Sequence, residues 1–173
     1  MGIAEDYADR IRAPGDMEHI TRLHAVALRY RRILELGVRS GMSTAAFLAA
    51  AQASGGHVCS IDIEPPRVPA SWHDSGLWTF TLGDDMTVPL PPGPFGLLFI
   101  DTSHSFEHTA AELDRFAPLV EPGGRILLHD TACFPGVRAA LESWCPPRGL
   151  RWDEWGGEFG MGEIAVPGAS LGA

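Results

Sequence analysis

Residues 101–108 read DTSHSFEH, and within them His104, Glu107 and His108 spell H-x-x-E-H. That spacing is one zinc-peptidase signature, in which two histidines one helical turn apart hold the ion and the glutamate works on water. A second chemistry competes for the same letters. The apolar run FGLLFI leads directly into Asp101, so Asp101 stands where a buried strand ends and His104 stands at the mouth of the helix that follows. Peptidase ligands need both histidines well inside a rigid helix together with a distant third carboxylate, and Asp101 has no place in that scheme. The strand-end reading is therefore preferred, and it leaves Glu107 and His108 as solvated helix residues. A second strand-like run, RILLHD, ends in the same manner on His129 and Asp130. Two acids at neighbouring strand ends repel unless something neutralises them. A histidine beside them, with an ordinary pKa of about 6.5, can accept a proton near neutrality. Asp101, His104, His129 and Asp130 are thus candidates for a charged site beyond the strand ends, with a cation as one way to neutralise the two acids.

The remaining strand ends carry similar groups. RILEL is a short β-rich run followed by the turn GVRSG, with Glu35, Gly37, Ser40 and Gly41 in or beside it. The turn lacks the G-x-G-x-x-G spacing that lets backbone approach a pyrophosphate. With a carboxylate at Glu35 it suits an ammonium or aminoacyl group instead. HVCSIDI ends on Asp62, 21 residues after Gly41, the distance at which the next strand's acid commonly accepts ribose hydroxyls. WTFTL is followed by Asp84 and Asp85.

The elements that must position these residues alternate. Helical spacing runs from Asp16 to Arg32 through Met17, Ile20, Leu23, Ala27 and Tyr30,. Ser43 or Thr44 is placed to cap the Ala-rich helix AAFLAAAQA, which SGG then stops,. Residues 66–76 are irregular, and TVPLPPGP is a loop. FGLLFI is a continuous apolar run, as in a strand buried on both faces. SFEHTAAELDRFAPLV reads as a helix, EPGG as a turn, GVRAALESW as a short helix, and RWDEW with EIAV as a terminal hairpin. Strand and helix in alternation predict an α/β fold with a doubly wound, mostly parallel sheet, whose ligands sit beyond the carboxyl ends of the strands.

The segments ILELGVRSGMST, SIDIEP, LGDD, LLFIDTSHSFE and EPGGRILLHDT resemble, in this order, the motifs of class I S-adenosylmethionine-dependent methyltransferases. The closest likeness is to the metal-dependent O-methyltransferase branch, which includes catechol O-methyltransferase and macrolide-sugar O-methyltransferases. It covers about residues 16–145. The resemblance implies a Rossmann-like seven-stranded sheet. It implies that the Glu35–Gly41 turn holds the methionine moiety of S-adenosylmethionine, that Asp62 binds the ribose, and that Asp84, or less favourably Asp85, lies near the adenine. It implies a divalent ion, normally magnesium, on Asp101 and Asp130, and it puts His104 where the branch has its base. Trp72 and Trp78 are candidates to roof the adenine. His129 stands where the sugar-modifying members have an acid and Thr131 where catechol-type members have Asn. A histidine ligand would favour manganese, iron or zinc over magnesium.

The totals bound the rest. The chain of 173 residues suits one domain, with an N-terminal helical region over 1–31, a cofactor-binding core over 32–145 and a C-terminal hairpin over 146–173. A formal net charge of −9, with no basic cluster larger than RYRR, argues against nucleic acid as a partner. Three cysteines without C-x-x-C spacing argue against a disulfide framework or structural zinc. No run approaches the length of a membrane span. The expectation is a cytoplasmic enzyme that methylates a hydroxyl of a small molecule, with the first helix or the final hairpin available to pair two copies. The alternatives are metal-independent transfer with His104 alone as base, and a cofactor-binding domain without catalysis that serves a partner protein.

Overall fold

In the computed structural model, which describes residues 2–12 and 18–168, strands and helices alternate as the sequence predicts, in two compact units that divide between Pro91 and Pro92. The first unit opens with helix α1 (Ile3–Arg10) and helix α2 (Ile20–Ala27). Asp16 and Met17, at the start of the expected first helix, lie outside the described residues. The helix ends at Ala27, several residues short of the expected Arg32, and strand β1 (Arg32–Leu36) starts there instead. Helix α3 (Met42–Ser54) leads to β2 (His57–Asp62), and a four-residue helix α4 (Ala70–His73) to β3 (Trp78–Leu82). Pro65, Pro66 and Pro69 all precede that segment and keep α4 from starting earlier,. β2 pairs in parallel with β1 on one side and β3 on the other. The registers Leu36↔Ile61 and Asp62↔Leu82 bring the carboxyl ends of all three strands to one edge.

α3 is buried from Ser43 to Ala51, which its alanines allow by packing closely on all sides. It stops at Gly55 in the left-handed conformation, φ 66°, a common helix ending. Its start corrects the sequence reading. The N-cap is Gly41, also left-handed, and no side chain caps the helix. Ser43 and Thr44 lie inside the first turn, and both hydroxyls are drawn to Glu35 instead.

The second unit holds β4 (Phe95–Ile100), helix α5 (Phe106–Phe116), a 3-10 turn at Ala117–Leu119, β5 (Val120–His129), helix α6 (Pro135–Trp144), and strands β6 (Trp152–Glu154) and β7 (Met161–Ala165). All six residues of β4 are buried. Each such apolar side chain contributes about 1.5–3 kcal/mol when withdrawn from water. Pro118 ends α5 earlier than the apolar pattern suggested,. EPGG is not a turn between elements but an irregularity within β5. Val120 pairs with Phe95, and the parallel register resumes at Leu97↔Arg125. Gly124 lies so close to β4 that a Cβ there would sit 2.7 Å from the Gly96 carbonyl oxygen, so only glycine fits. β6 and β7 form the expected antiparallel hairpin, and β7 also pairs antiparallel with β5. The described residues hold seven strands, mostly in parallel pairing. Among the described residues, no helix is long and apolar enough to cross a membrane.

Candidate active site

In the first unit the Glu35–Gly41 turn is braced from beneath. Glu35 is fully buried on β1, and its two carboxylate oxygens accept hydrogen bonds from Ser43 Oγ at 2.6 Å, Thr44 Oγ1 at 2.9 and 3.0 Å, and Ser60 Oγ at 2.6 Å. Three hydroxyls compensate its desolvation. The side chain therefore acts as a strut that ties β1, β2 and α3 together, and not as a ligand offered at the surface. Asp62, at the end of β2, turns back on the same turn. Its Oδ2 accepts from the backbone N–H groups of Val38 and Arg39, at 2.7 and 2.9 Å, and its Oδ1 from that of Glu64 at 2.9 Å. A carboxylate has room for about four such bonds, so Asp62 keeps some capacity for a hydroxyl donor. The turn needs left-handed backbone at Gly37, Arg39 and Gly41. At Gly41 there is no alternative to glycine, because a Cβ would lie 2.5 Å from Val68 Cγ1 and 2.9 Å from Trp72 Cζ3.

Beyond β3, Asp84 Oδ1 accepts from the Met86 N–H at 2.8 Å in a tight turn. Asp84 is half-buried and Asp85 is buried. Trp72 and Trp78 do not roof a pocket. Both are core side chains, Trp72 donating to Asp6 Oδ2 and Trp78 to Ser60 Oγ, because an indole withdrawn from water must place its N–H on an internal acceptor.

In the second unit the register Ile100↔Leu128 sets Asp101 beside His129, with Asp130 following. His104 Nε2 lies 2.9 Å from Asp130 Oδ2 and 3.6 Å from Asp101 Oδ1. His129 Nδ1 lies 3.2 Å from Asp130 Oδ1 and 3.7 Å from Asp101 Oδ1. All four residues proposed from sequence for the metal and base roles thus come together. Asp130 holds a left-handed backbone, φ 70°, which aspartate tolerates better than most residues and which recurs at functional sites.

The charges in this cluster are strongly coupled. Asp101 and Asp130 together lift the His104 pKa to about 9, against the opposing effect of burial. Burial disfavours the charged form of His129, yet the same two carboxylates raise its pKa to about 9 as well. Burial would raise the carboxyls, and the imidazoles reverse this, holding Asp101 and Asp130 below the usual range. Without a metal, two imidazolium groups therefore balance two carboxylates at neutral pH.

The donor set fits a divalent ion. One oxygen each from Asp101 and Asp130 and one nitrogen of His104 lie within 4.8 Å of one another. Among the described residues, buried Asp130 Oδ1 has the His129 imidazole 3.2 Å away but accepts no well-aligned hydrogen bond, so it keeps lone-pair capacity for a cation.

α5 resolves the peptidase spelling. Its N-cap is Ser105, whose hydroxyl accepts from the His108 N–H at 3.2 Å, so His104 precedes the helix and shares no face with His108. His108 is not simply solvated, for it lies 3.7 Å from the buried carboxylate of Glu112. Sequence reasoning also missed two aromatic rings. Phe134 stacks on the His104 imidazole with centroids 4.0 Å apart, and Phe159 on that of His129 at 5.8 Å. Phe134 directly precedes the Pro that opens α6, and Phe159 sits among the glycines of the β6–β7 connection. Neither position carries a signal that points to the site before the chain is folded.

A family model described as a methyltransferase domain matches residues 34–131, more than half of the chain. The chain belongs to this methyltransferase family, in agreement with the motifs. No curated protein matches it. Among solved structures it is similar to the cofactor-bound Rv0187 from MTB, with 20% identity, 96% of this chain and 88% of that chain covered, and a TM-score of 0.72. It is similar to the O-methyltransferase TomG from Streptomyces achromogenes, involved in tomaymycin synthesis and solved in complex with SAM, with 18% identity, coverage of 97% and 91%, and a TM-score of 0.66. It is also similar to an O-methyltransferase from Bacillus cereus in complex with SAH, with 16% identity, coverage of 94% and 88%, and a TM-score of 0.67. At these identities the likeness establishes the fold alone, the α/β fold that the alternation of elements predicted and that the motif resemblance implied to be Rossmann-like.

Proposed function

We propose that this methyltransferase moves a methyl group from S-adenosylmethionine to a hydroxyl of a small molecule, with a divalent ion held by Asp101 and Asp130 and completed by an imidazole. The observation that carries this reading is the meeting of two carboxylates and two imidazoles at the ends of β4 and β5. A methyltransferase acting on a nitrogen or sulfur nucleophile has no need of such a cluster. The sulfonium cofactor supplies an electrophilic methyl group when bound, and a divalent ion supplies a Lewis acid that makes a hydroxyl easier to deprotonate.

The chain's own residues do the rest. The Gly37–Gly41 turn, pinned by Asp62 and supported by Glu35, cradles the amino-acid part of the cofactor. Asp62 accepts from the ribose, and Asp84 borders the base. With His129 as the imidazole that would complete the ion's site, His104 is left to take the proton of the acceptor's hydroxyl at Nε2. With its pKa at about 9, this nitrogen already carries a proton at pH 7 in the metal-free cluster. A cation held by Asp101 and Asp130 would offset the charge that holds that proton, and Nε2 would then be available as base. For that reason the metal-assisted reading is preferred over His104 acting alone. Imidazole in the donor set favours manganese, iron or zinc over magnesium. A small-molecule acceptor, a cytoplasmic setting and pairing of two copies through the first helix or the final hairpin belong to the same proposal.

Calorimetry with S-adenosylhomocysteine tests the first half of this reading. The native chain is expected to bind it, and Asp62→Ala to lose at least about tenfold in affinity, as expected when a half-buried charged acceptor of a ribose hydroxyl is removed. An absence of binding by the native chain would remove the basis of the proposal. Binding without turnover across diols, catechols and sugars would favour a non-catalytic domain.

A further inference from the structure

We infer that Arg10 receives the α-carboxylate of the cofactor, an inference that rests on the reading of the Glu35–Gly41 turn as the cradle of its amino-acid part. An amino-acid tail brings a carboxylate as well as an ammonium group. The turn itself offers one carboxylate, Glu35, which is buried and occupied by three hydroxyls, and one cation, Arg39, which is exposed. A cation held against the turn comes from elsewhere in the first unit.

Arg10 is the last residue of α1 and reaches the turn from outside it. Its Nη1 donates to the Ser40 carbonyl oxygen at 2.9 Å and lies 3.3 Å from Met42 Sδ, so it touches the residues on either side of Gly41. The guanidinium is held 5.2 Å over the Trp72 ring. Trp72 is itself fixed by its hydrogen bond to Asp6 Oδ2, at 2.9 Å, one turn earlier on α1. A planar group with five N–H donors is therefore fixed at one corner and against one face. Among the described residues, its hydrogen bonds use Nη1 alone, and it has no carboxylate within ion-pairing distance. Such a fork matches a carboxylate in two-point geometry.

Burial lowers the Arg10 pKa, and Asp6 offsets this only in part, as for a cation short of its counter-ion. The other cations of this region, Arg39 and Arg67, are exposed. Arg10 alone is half-buried against the turn.

The test compares two ligands on the full chain. S-Adenosylhomocysteine carries the amino-acid tail, whereas 5′-methylthioadenosine keeps the nucleoside and thioether and lacks it. Arg10→Met is expected to weaken the first by about 30-fold or more, the loss of a charge-assisted pair, and to leave the second within about twofold. Arg10→Lys is expected to recover part of the loss as a point charge. As a check that needs no variant, the carboxamide of S-adenosylhomocysteine should bind the native chain about 30-fold more weakly than the acid, a difference that disappears in Arg10→Met. If both ligands weaken together, Arg10 only supports the turn and the assignment is wrong. It is equally wrong if acid and amide bind the native chain alike. If the native chain binds neither ligand, the cofactor reading itself fails, a result separable from the others.

Discussion

Replacing Asp130 by Asn in metal-free protein isolates the charge of the acid–histidine cluster. Asparagine tolerates the positive φ of this position as well as aspartate does, so the backbone is not the variable. Asp130 is the nearer carboxylate to both imidazoles, at 2.9 and 3.2 Å against 3.6 and 3.7 Å for Asp101. A histidine raised from 6.5 to about 9 on folding stabilises the folded state by about 3 kcal/mol while it carries its proton. His104 and His129 depend on the same two carboxylates, so the pair contributes less than twice that amount.

The sign follows from the raised folded pKa. The stabilisation is complete below about pH 6.5, declines as pH rises, and is gone above about pH 9. Removing the nearer carboxylate takes away part of this contribution, on the order of 1–2 kcal/mol, or about 2–8 °C in Tm for a chain of this size. Imidazole resonances followed by NMR should titrate near pH 9 in the native chain and at least about one pH unit lower in the variant. Thermal unfolding should show the native advantage at pH 6.5 disappearing by pH 9.5. Native imidazoles that titrate near 6.5, or two Tm profiles that run parallel across this window, would refute the charge coupling.

The other predictions concern the turn of the first unit and the acid–histidine cluster of the second. Glu35→Ala leaves the Ser43, Thr44 and Ser60 hydroxyls without their acceptor and should cost about 3–5 kcal/mol in urea unfolding, with Glu35→Gln costing less. Gly41→Ala drives a Cβ into Val68 and Trp72 at positive φ; it should destabilise the chain by about 2 kcal/mol or more and weaken S-adenosylhomocysteine binding measured by calorimetry. Asp101→Ala and Asp130→Ala should abolish binding of manganese, followed by electron paramagnetic resonance, while cofactor affinity survives. An equal loss of cofactor affinity in both variants would point to a structural role instead.

Much of this was legible before folding because parallel strands put chemistry at one kind of place. Apolar runs located β4 and β5, and the acids that ended those runs located Asp101 and Asp130. What could not be read was which partner each polar group would find. Ser43 and Thr44 looked like caps because hydroxyls near a helix start usually are. The cost of burying Glu35 redirected them. EPGG looked like a turn because two glycines usually break a strand; here Gly124 serves the close approach of β5 to β4. Trp72 and Trp78 looked available as stacking surfaces, but partners distant in sequence, Asp6 and Ser60, made them core. Arg10 reaches the turn of its unit, and Phe134 and Phe159 the acid–histidine cluster of theirs, only through tertiary packing, so no spacing in the sequence announces them.

The most direct measurement is methyl transfer itself. The protein would be incubated with S-adenosylmethionine labelled in its methyl group and a panel of catechols, diols and sugars, after chelation and again after adding back manganese or magnesium. The account predicts label on an acceptor oxygen with the ion present, little after chelation, and none in Asp101→Ala at any metal concentration. Transfer that proceeds undiminished in chelator and in Asp101→Ala, or label recovered on nitrogen or sulfur alone, would contradict it.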